Sequence, residues 1–243
     1  METSKKILAL DSSGLVASVA VVEGNSTYSN LLAEYTVNYK KTHSQTLLPM
    51  LDEIANMTEL DLTTIDAIAI AAGPGSFTGL RIGSATAKGL GLALKKPLIS
   101  IPTVDALAYN LAGNRDIICP LMDARRNQTY TGLYRFDGNQ MEIINPQCAV
   151  GIDEIIAEVN KLGQAVVFLG DGVAVFEAYI RENCTVPFTF APAHVNKQRA
   201  GAVAALGEIY YTEGKTETAE EHKPDYLRLS QAERERLEGE QKK

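Results

Sequence analysis

A glycine-rich stretch in the first half of the chain most constrains how it can fold. An apolar run, residues 65–72, leads into Gly73-Pro74-Gly75, and small residues at helical spacing follow to Leu94. This order predicts a strand, a tight turn and a helix. Small residues recur at every fourth position, so they share one slowly drifting face of that helix. This face, called here the glycine ridge, comprises Gly75, Gly79, Gly83, Ala87 and Gly91.

The glycine ridge needs a close neighbour, because each interior glycine disfavours a helix by roughly 1 kcal/mol relative to alanine. A second backbone, either in the chain's own core or on a partner helix, can approach such a ridge closely. Arg81 and Lys88 in mid-helix argue against a membrane-spanning use. The two alternatives predict different effects of the substitution Gly83→Leu. A partner-facing ridge predicts lost association with the fold intact, whereas a core-facing ridge predicts a destabilisation of roughly 1–3 kcal/mol.

Composition and charge narrow the class of protein. Hydrophobic residues make up 45% of the chain and charged residues 22%, which is typical of globular proteins. The net charge of −7 disfavours autonomous binding to nucleic acid. No apolar run approaches the roughly 20 residues of a membrane helix, and the polar residues 1–6 do not form a secretory signal. The widely spaced Cys119, Cys148 and Cys184 predict reduced thiols in a cytoplasmic protein.

The hydrophobic pattern predicts the element order βββαβαβα twice, with little sequence identity between the halves. We therefore expect two similar α/β lobes, residues 1–112 and 113–221, followed by a charged surface tail, residues 222–243. A duplication of this kind places any ligand cleft between the lobes.

An acid ends the first strand of each half, Asp11 and Asp123. This arrangement resembles the actin/sugar-kinase/Hsp70 (ASKHA) superfamily, whose members grip ATP between two lobes. The turns after these strands are poor phosphate cradles, because residues 123–127 contain no glycine and bulky side chains block a close backbone approach. Asp11 and Ser12 are therefore predicted as no more than a vestigial nucleotide site, and we expect this chain to bind no cofactor tightly.

The sequence predicts neither a metal site nor a catalytic group. His43 is followed four residues later by Leu47, so the paired-histidine pattern of a zinc helix is missing. No Gly-x-Ser-x-Gly segment occurs, and no Ser/His/Asp spacing indicates a hydrolase.

Several segments together have a family resemblance that spans residues 5 to about 230. They are Ile7-Leu-Ala-Leu-Asp-Ser-Ser13, His43-Ser-Gln-Thr-Leu-Leu-Pro49, Gly73-Pro-Gly-Ser-Phe-Thr-Gly-Leu-Arg-Ile-Gly83, Met122-Asp-Ala-Arg-Arg-Asn127 and Tyr226-Leu-Arg228. They closely resemble the TsaB (YeaZ) family, the dimerisation subunit of the bacterial machinery that makes threonylcarbamoyladenosine in tRNA. TsaD, the catalytic paralogue, carries a His-x-x-x-His metal motif on the helix that begins here at His43. Leu47 stands in place of the second histidine.

The resemblance implies a non-catalytic subunit that pairs with a TsaD-type catalytic subunit and is joined by a TsaE-type ATPase. ATP is then used by the complex, tRNA is contacted indirectly, and the chain alone can form a homodimer. The resemblance also implies that the two helices at about 44–57 and 76–94 form the pairing surface. The predicted interface residues are Leu47, Leu51, Ile54, Ser76, Gly79, Leu80, Gly83, Ala87 and Leu90. The alternative is an independent ATP-dependent kinase or glycoprotease-like enzyme of the same fold.

Overall fold

A computed structural model describes residues 4–25, 28–39 and 43–227 of the chain. The first half contains β1 (Lys5–Asp11), β2 (Ala17–Gly24), β3 (Ser29–Val37), α1 (Leu47–Met57), β4 (Ala67–Gly73), α2 (Phe77–Leu94), β5 (Leu98–Pro102) and α3 (Thr103–Tyr109). The second half contains β6 (Ile117–Asp123), β7 (Gln128–Asp137), β8 (Gln140–Gly151), α4 (Ile152–Leu162), β9 (Val166–Leu169), α5 (Gly172–Asn183), β10 (Phe188–Phe190) and α6 (Ala200–Thr212). The order βββαβαβα is confirmed in both halves.

The two halves form equivalent five-stranded sheets. The strand orders are β3-β2-β1-β4-β5 and β10-β9-β6-β7-β8, so each half places its first strand at the centre. In both sheets that first strand pairs antiparallel with the second strand and parallel with the fourth. This matched topology confirms the predicted fold class, a duplicated ASKHA-like α/β lobe.

Helices cover both faces of the first sheet. α1 and α2 pack on one face, against residues that include Leu8 and Ile70. α3 and α6 pack on the other face, where Val203 of α6 joins Ile7 and Ala69. α6 thus lies within the predicted second domain, 113–221, but packs on the first sheet. The domain boundaries themselves stay predictions.

The glycine ridge of α2 faces the chain's own core. A β-carbon at Gly79 would overlap the carbonyl oxygen of Ser12, and one at Gly83 would overlap the Ser12 hydroxyl and lie 3.0 Å from Cδ1 of Ile70. Ala87 is completely buried in the cluster that α1 and α2 form on the sheet. This corrects the expectation that the ridge faces a partner, because the turn after β1 occupies the space in front of it.

The helix starts follow local hydrogen bonding. Ser76 caps α2, since its side chain accepts a hydrogen bond from the Gly79 N–H at 3.3 Å. The first of the two predicted helices starts slightly later than about residue 44: a 3₁₀ turn occupies His43–Gln45, and α1 begins at Leu47 with no side-chain cap on its first turn. Among the described residues, no helix is both long and apolar enough to cross a membrane.

The segment after α6 is mostly exposed, as expected for a surface tail, but it is held against the body of the protein. Residues 216–227, called here the strap, run along α2 from its C-terminal to its N-terminal end, and His222 within it is 1% exposed. At its far end the ring of Tyr226 lies 4.9 Å from the ring of Phe77. Arg228 of the Tyr-Leu-Arg segment and the rest of the predicted tail lie outside the described residues.

Candidate functional site

A small cleft of about 250 Å³ separates the ends of the two sheets, where the sequence predicts a ligand cleft. It is lined by Ser13, Gly14, Leu15, Gly75, Ser76, Met122, Asp123, Ala124, Arg125, Tyr130 and Asp171. Pockets that enclose drug-sized ligands usually measure about 300–1,000 Å³, so this cleft is smaller than most of them.

Asp11 and Ser12, the predicted vestigial nucleotide ligands, do not line this cleft. Asp11 is 1% exposed, and its Oδ1 accepts hydrogen bonds from Ser13 N–H at 2.8 Å and from Ser13 Oγ at 2.7 Å. The Ser12 hydroxyl donates to the carbonyl oxygen of Gly79 at 2.9 Å. Asp11 closes the turn after β1, and Ser12 holds that turn against α2. This corrects the assignment of a binding role, because neither group points into the cleft.

Burial raises the pKa of Asp11, although the two hydrogen bonds from Ser13 and the nearby His43 act in the opposite direction. His43 supports the same turn, since its Nε2 lies 2.8 Å from the Gly14 carbonyl oxygen. Asp11 and His43 therefore both stabilise this turn. Among the described residues, no cluster of His, Cys, Asp and Glu is arranged to hold a metal ion.

Asp11→Asn is expected to stabilise the protein more at pH 7 than at pH 3. At pH 3 both the folded and unfolded states hold a largely protonated Asp11. As the pH rises, the unfolded state loses its proton first because the folded-state pKa is raised, so wild-type stability falls across that window. Urea unfolding of both proteins at the two pH values measures the effect, and an equal difference at both would contradict it.

In the turn after β6, the acidic side chain also bonds to groups of its own turn. Asp123 accepts hydrogen bonds from the Arg125 N–H at 2.8 Å and pairs with its guanidinium at 3.1 Å. Arg125, Arg126 and Asn127 all have a left-handed backbone, with φ of 64°, 55° and 60°. The second acid on this side is Asp171, whose pKa burial raises. Both carboxylates line the cleft, together with Arg125.

Most of the predicted interface residues lie in the core. The buried ones are Leu47, Leu51, Ile54, Gly79, Leu80, Gly83 and Ala87. Ser76 is exposed and Leu90 is partly exposed. The structure therefore brings the seven buried residues together on the first sheet, and this corrects their assignment to an accessible surface. These residues recur at the spacing of one helix face, and in this protein that face of each helix packs on the core.

The solvent side of α2 carries different residues, called here the outer face of α2: Thr78, Arg81, Ala85, Gly89 and Leu92. Leu92 is 55% exposed, and no atom lies within 4 Å of where a β-carbon of Gly89 would stand. On the neighbouring α1, Leu48 is 53% exposed. The sequence signal for this face was Gly89, the one interior glycine of the helix that does not belong to the ridge.

The structure also brings together a serine, a histidine and a carboxylate that no sequence pattern connects. Ser84 Oγ lies 2.9 Å from His222 Nε2, and His222 Nδ1 lies 2.8 Å from Glu217 Oε1. This is the connectivity of a hydrolase triad. Ser84 is only 5% exposed on the inner side of α2, so a substrate carbonyl cannot reach its hydroxyl. The three groups serve the packing of the strap.

Comparisons by sequence and by structure both find similar proteins of one family. The family profile described as TsaD: tRNA N6-adenosine threonylcarbamoyltransferase matches residues 30–236. The tRNA threonylcarbamoyladenosine biosynthesis protein TsaB of Bacillus subtilis is 31% identical over 229 residues, 93% of this chain and 96% of that protein. TsaB of Haemophilus influenzae is 32% identical over 236 residues, 91% of this chain and 93% of that protein. YeaZ from Pseudomonas aeruginosa has the same fold, with a TM-score of 0.74, 23% identity and coverage of 91% of this chain and 99% of that one.

Proposed function

The chain belongs to the TsaB family of tRNA threonylcarbamoyladenosine biosynthesis proteins, and from that premise we propose that it is a non-catalytic scaffold subunit. It pairs with a TsaD-type catalytic subunit in a cytoplasmic complex that a TsaE-type ATPase joins. The catalytic subunit transfers threonylcarbamoyl to the adenosine next to the tRNA anticodon. This chain contacts tRNA only through the complex, and without its partner it can form a homodimer.

The observation that carries the non-catalytic role is that the acids and hydroxyl at the ends of the first strands are bonded within the chain. Asp11 and Ser12 are committed to hydrogen bonds within the chain, and Asp123 is paired with Arg125. A phosphoryl-transfer enzyme needs donors and metal ligands that are free to face the substrate. The same groups here stabilise two turns, and the remaining space is small.

The partner surface we propose is the outer face of α2 together with the exposed side of α1. Interfaces have an apolar centre and a polar rim, and small side chains on a helix let a second helix pack more closely. Leu48, Ala85, Gly89 and Leu92 supply such a centre, and Arg81 lies on the same face of α2. Helix packing against this side leaves the core contacts of the ridge unchanged. Of the residues first predicted for the interface, Ser76 and Leu90 remain accessible to a partner.

The isolated protein is expected neither to bind ATP with micromolar affinity nor to hydrolyse it, because Asp11 is bonded to Ser13 and Asp123 to Arg125, so neither acid is free to hold a nucleotide-bound metal ion. Isothermal titration with ATP and Mg²⁺, with a phosphate-release assay, measures both properties. Micromolar binding with turnover that Asp123→Asn abolishes would favour the kinase alternative.

Reconstitution tests the scaffold role directly. A TsaD-type and a TsaE-type subunit are incubated with tRNA, threonine, bicarbonate and ATP, together with the enzyme that forms threonylcarbamoyl-adenylate. We expect modified adenosine only when this chain is added, and an unchanged yield with Asp123→Asn. A full yield without the chain would contradict the proposal.

A further inference from the structure

The strap is attached to the body of the protein by few buried side chains. Of its described residues, only Ala219 and His222 are buried, at 4% and 1% exposure. Glu217 and Pro224 are partly exposed, and the rest of the strap faces solvent. Segments with little buried apolar surface open at a lower free energy than the core they cover.

The strap pairs with the open edge of the first sheet at the Leu98 end of that edge. β5 is the edge strand, and Leu98 within it forms an isolated antiparallel bridge with Glu217. The two residues exchange backbone hydrogen bonds of 2.9 and 3.0 Å. An uncovered edge strand offers unpaired backbone groups to other chains. The strap therefore protects this edge for as long as it stays in place.

His222 joins the strap to two other elements. Its Nε2 lies 2.9 Å from Ser84 Oγ on α2, and its Nδ1 lies 3.0 Å from Ser100 Oγ on β5 and 2.8 Å from Glu217 within the strap. The carbonyl oxygen of His222 also accepts a hydrogen bond from Lys88 Nζ on α2 at 3.1 Å. An imidazole with a hydrogen-bonding group at each nitrogen fixes both its position and its orientation.

We propose that the strap is a latch that opens separately from the rest of the fold, and that His222 is the positioning residue that holds it closed. Opening uncovers the edge of β5 and the flank of α2 that carries Ser84 and Lys88. The flank adjoins the outer face of α2, so closure of the latch and docking of the partner are coupled. This coupling rests on the proposed function, whereas the latch itself does not.

Hydrogen exchange of the full chain tests the latch. In the wild type, the amide of Leu98, which donates to Glu217, is expected to exchange faster than the amide of Leu8 in the central strand. His222→Ala removes buried hydrogen bonds and should accelerate exchange at Leu98 by roughly tenfold or more, with Leu8 unchanged. His222→Asn keeps a donor and an acceptor and should restore part of the protection. Glu220→Ala, which changes an exposed strap side chain, is the matched control and should leave both amides unchanged.

Two results would overturn the latch. One is exchange of Leu98 at the rate of Leu8 in every variant, because the strap would then open only when the whole protein unfolds. The other is unchanged protection of Leu98 in both His222 variants. If neither variant folds, Ser100→Ala removes one hydrogen-bond partner of His222 and should accelerate Leu98 exchange by a smaller factor, and no acceleration there also overturns it.

A binding titration with the TsaD-type subunit tests the coupling. His222→Ala should bind this subunit several-fold more weakly than the wild type, while Glu220→Ala should bind equally well. Unchanged affinity in a variant whose latch is open overturns the coupling and leaves the latch. Failure of the wild type itself to bind counts against the proposed function instead.

Discussion

Replacing Gly79 by alanine is expected to lower the free energy of unfolding by about 1–3 kcal/mol, the usual cost of overpacking. Alanine favours a helix by about 1 kcal/mol over glycine. The overlap must therefore cost more than this gain for the protein to be destabilised. The added methyl group would overlap the carbonyl oxygen of Ser12, which is backbone and cannot rotate away. Ser12 is 1% exposed and its hydroxyl is bonded to Gly79, so the turn has no free direction in which to move.

Gly89→Ala is the matched control on the same helix. No atom lies within 4 Å of its added β-carbon, so only the helix preference acts, and the free energy of unfolding should rise by up to about 1 kcal/mol. Urea unfolding followed by circular dichroism measures both variants. Opposite signs support a ridge that packs on the core, and a stabilised Gly79→Ala would contradict it. Gly83→Leu is expected to destabilise the fold for the same reason as Gly79→Ala.

The element order was predictable because strong local patterns mark each element. The run at residues 65–72 and the small residues after it indicate a strand and a helix from neighbours in sequence alone. The spacing of Gly79 and Gly83 also showed that something must approach α2 closely. The spacing could not show which element approaches α2, because a turn in the core and a helix of a partner both require that side chains be absent there.

The functional surface was less predictable than the fold. Apolar residues at helical spacing, such as Leu47 and Leu51, mark the buried side of α1, so selecting them for an interface selected the core. The contact of Ser84 with His222 joins residues 138 positions apart and leaves no local pattern. A network of this kind depends on tertiary packing, and only the structure reveals it.

Ala85→Arg is expected to weaken binding to the TsaD-type subunit by at least about 30-fold. Ala85 is an exposed residue at the middle of the outer face of α2, four residues from Gly89. A helix that packs there would have to bury a long charged side chain or move away. Central interface substitutions commonly cost about 2 kcal/mol or more, and each 1.4 kcal/mol is a tenfold change in affinity. Alanine and arginine both favour helices, so the stability of the isolated chain should change little.

Ala178→Arg makes the same chemical change at an exposed position of α5 in the second half, and it should bind the partner as the wild type does. Isothermal titration gives the two affinities, and thermal unfolding of each variant alone shows whether the fold is intact. Equal loss in both variants would indicate a general effect of the added positive charge. Wild-type affinity of a folded Ala85→Arg would place the partner surface away from the outer face of α2, because a charged side chain at the centre of a packed helix interface cannot be accommodated without loss.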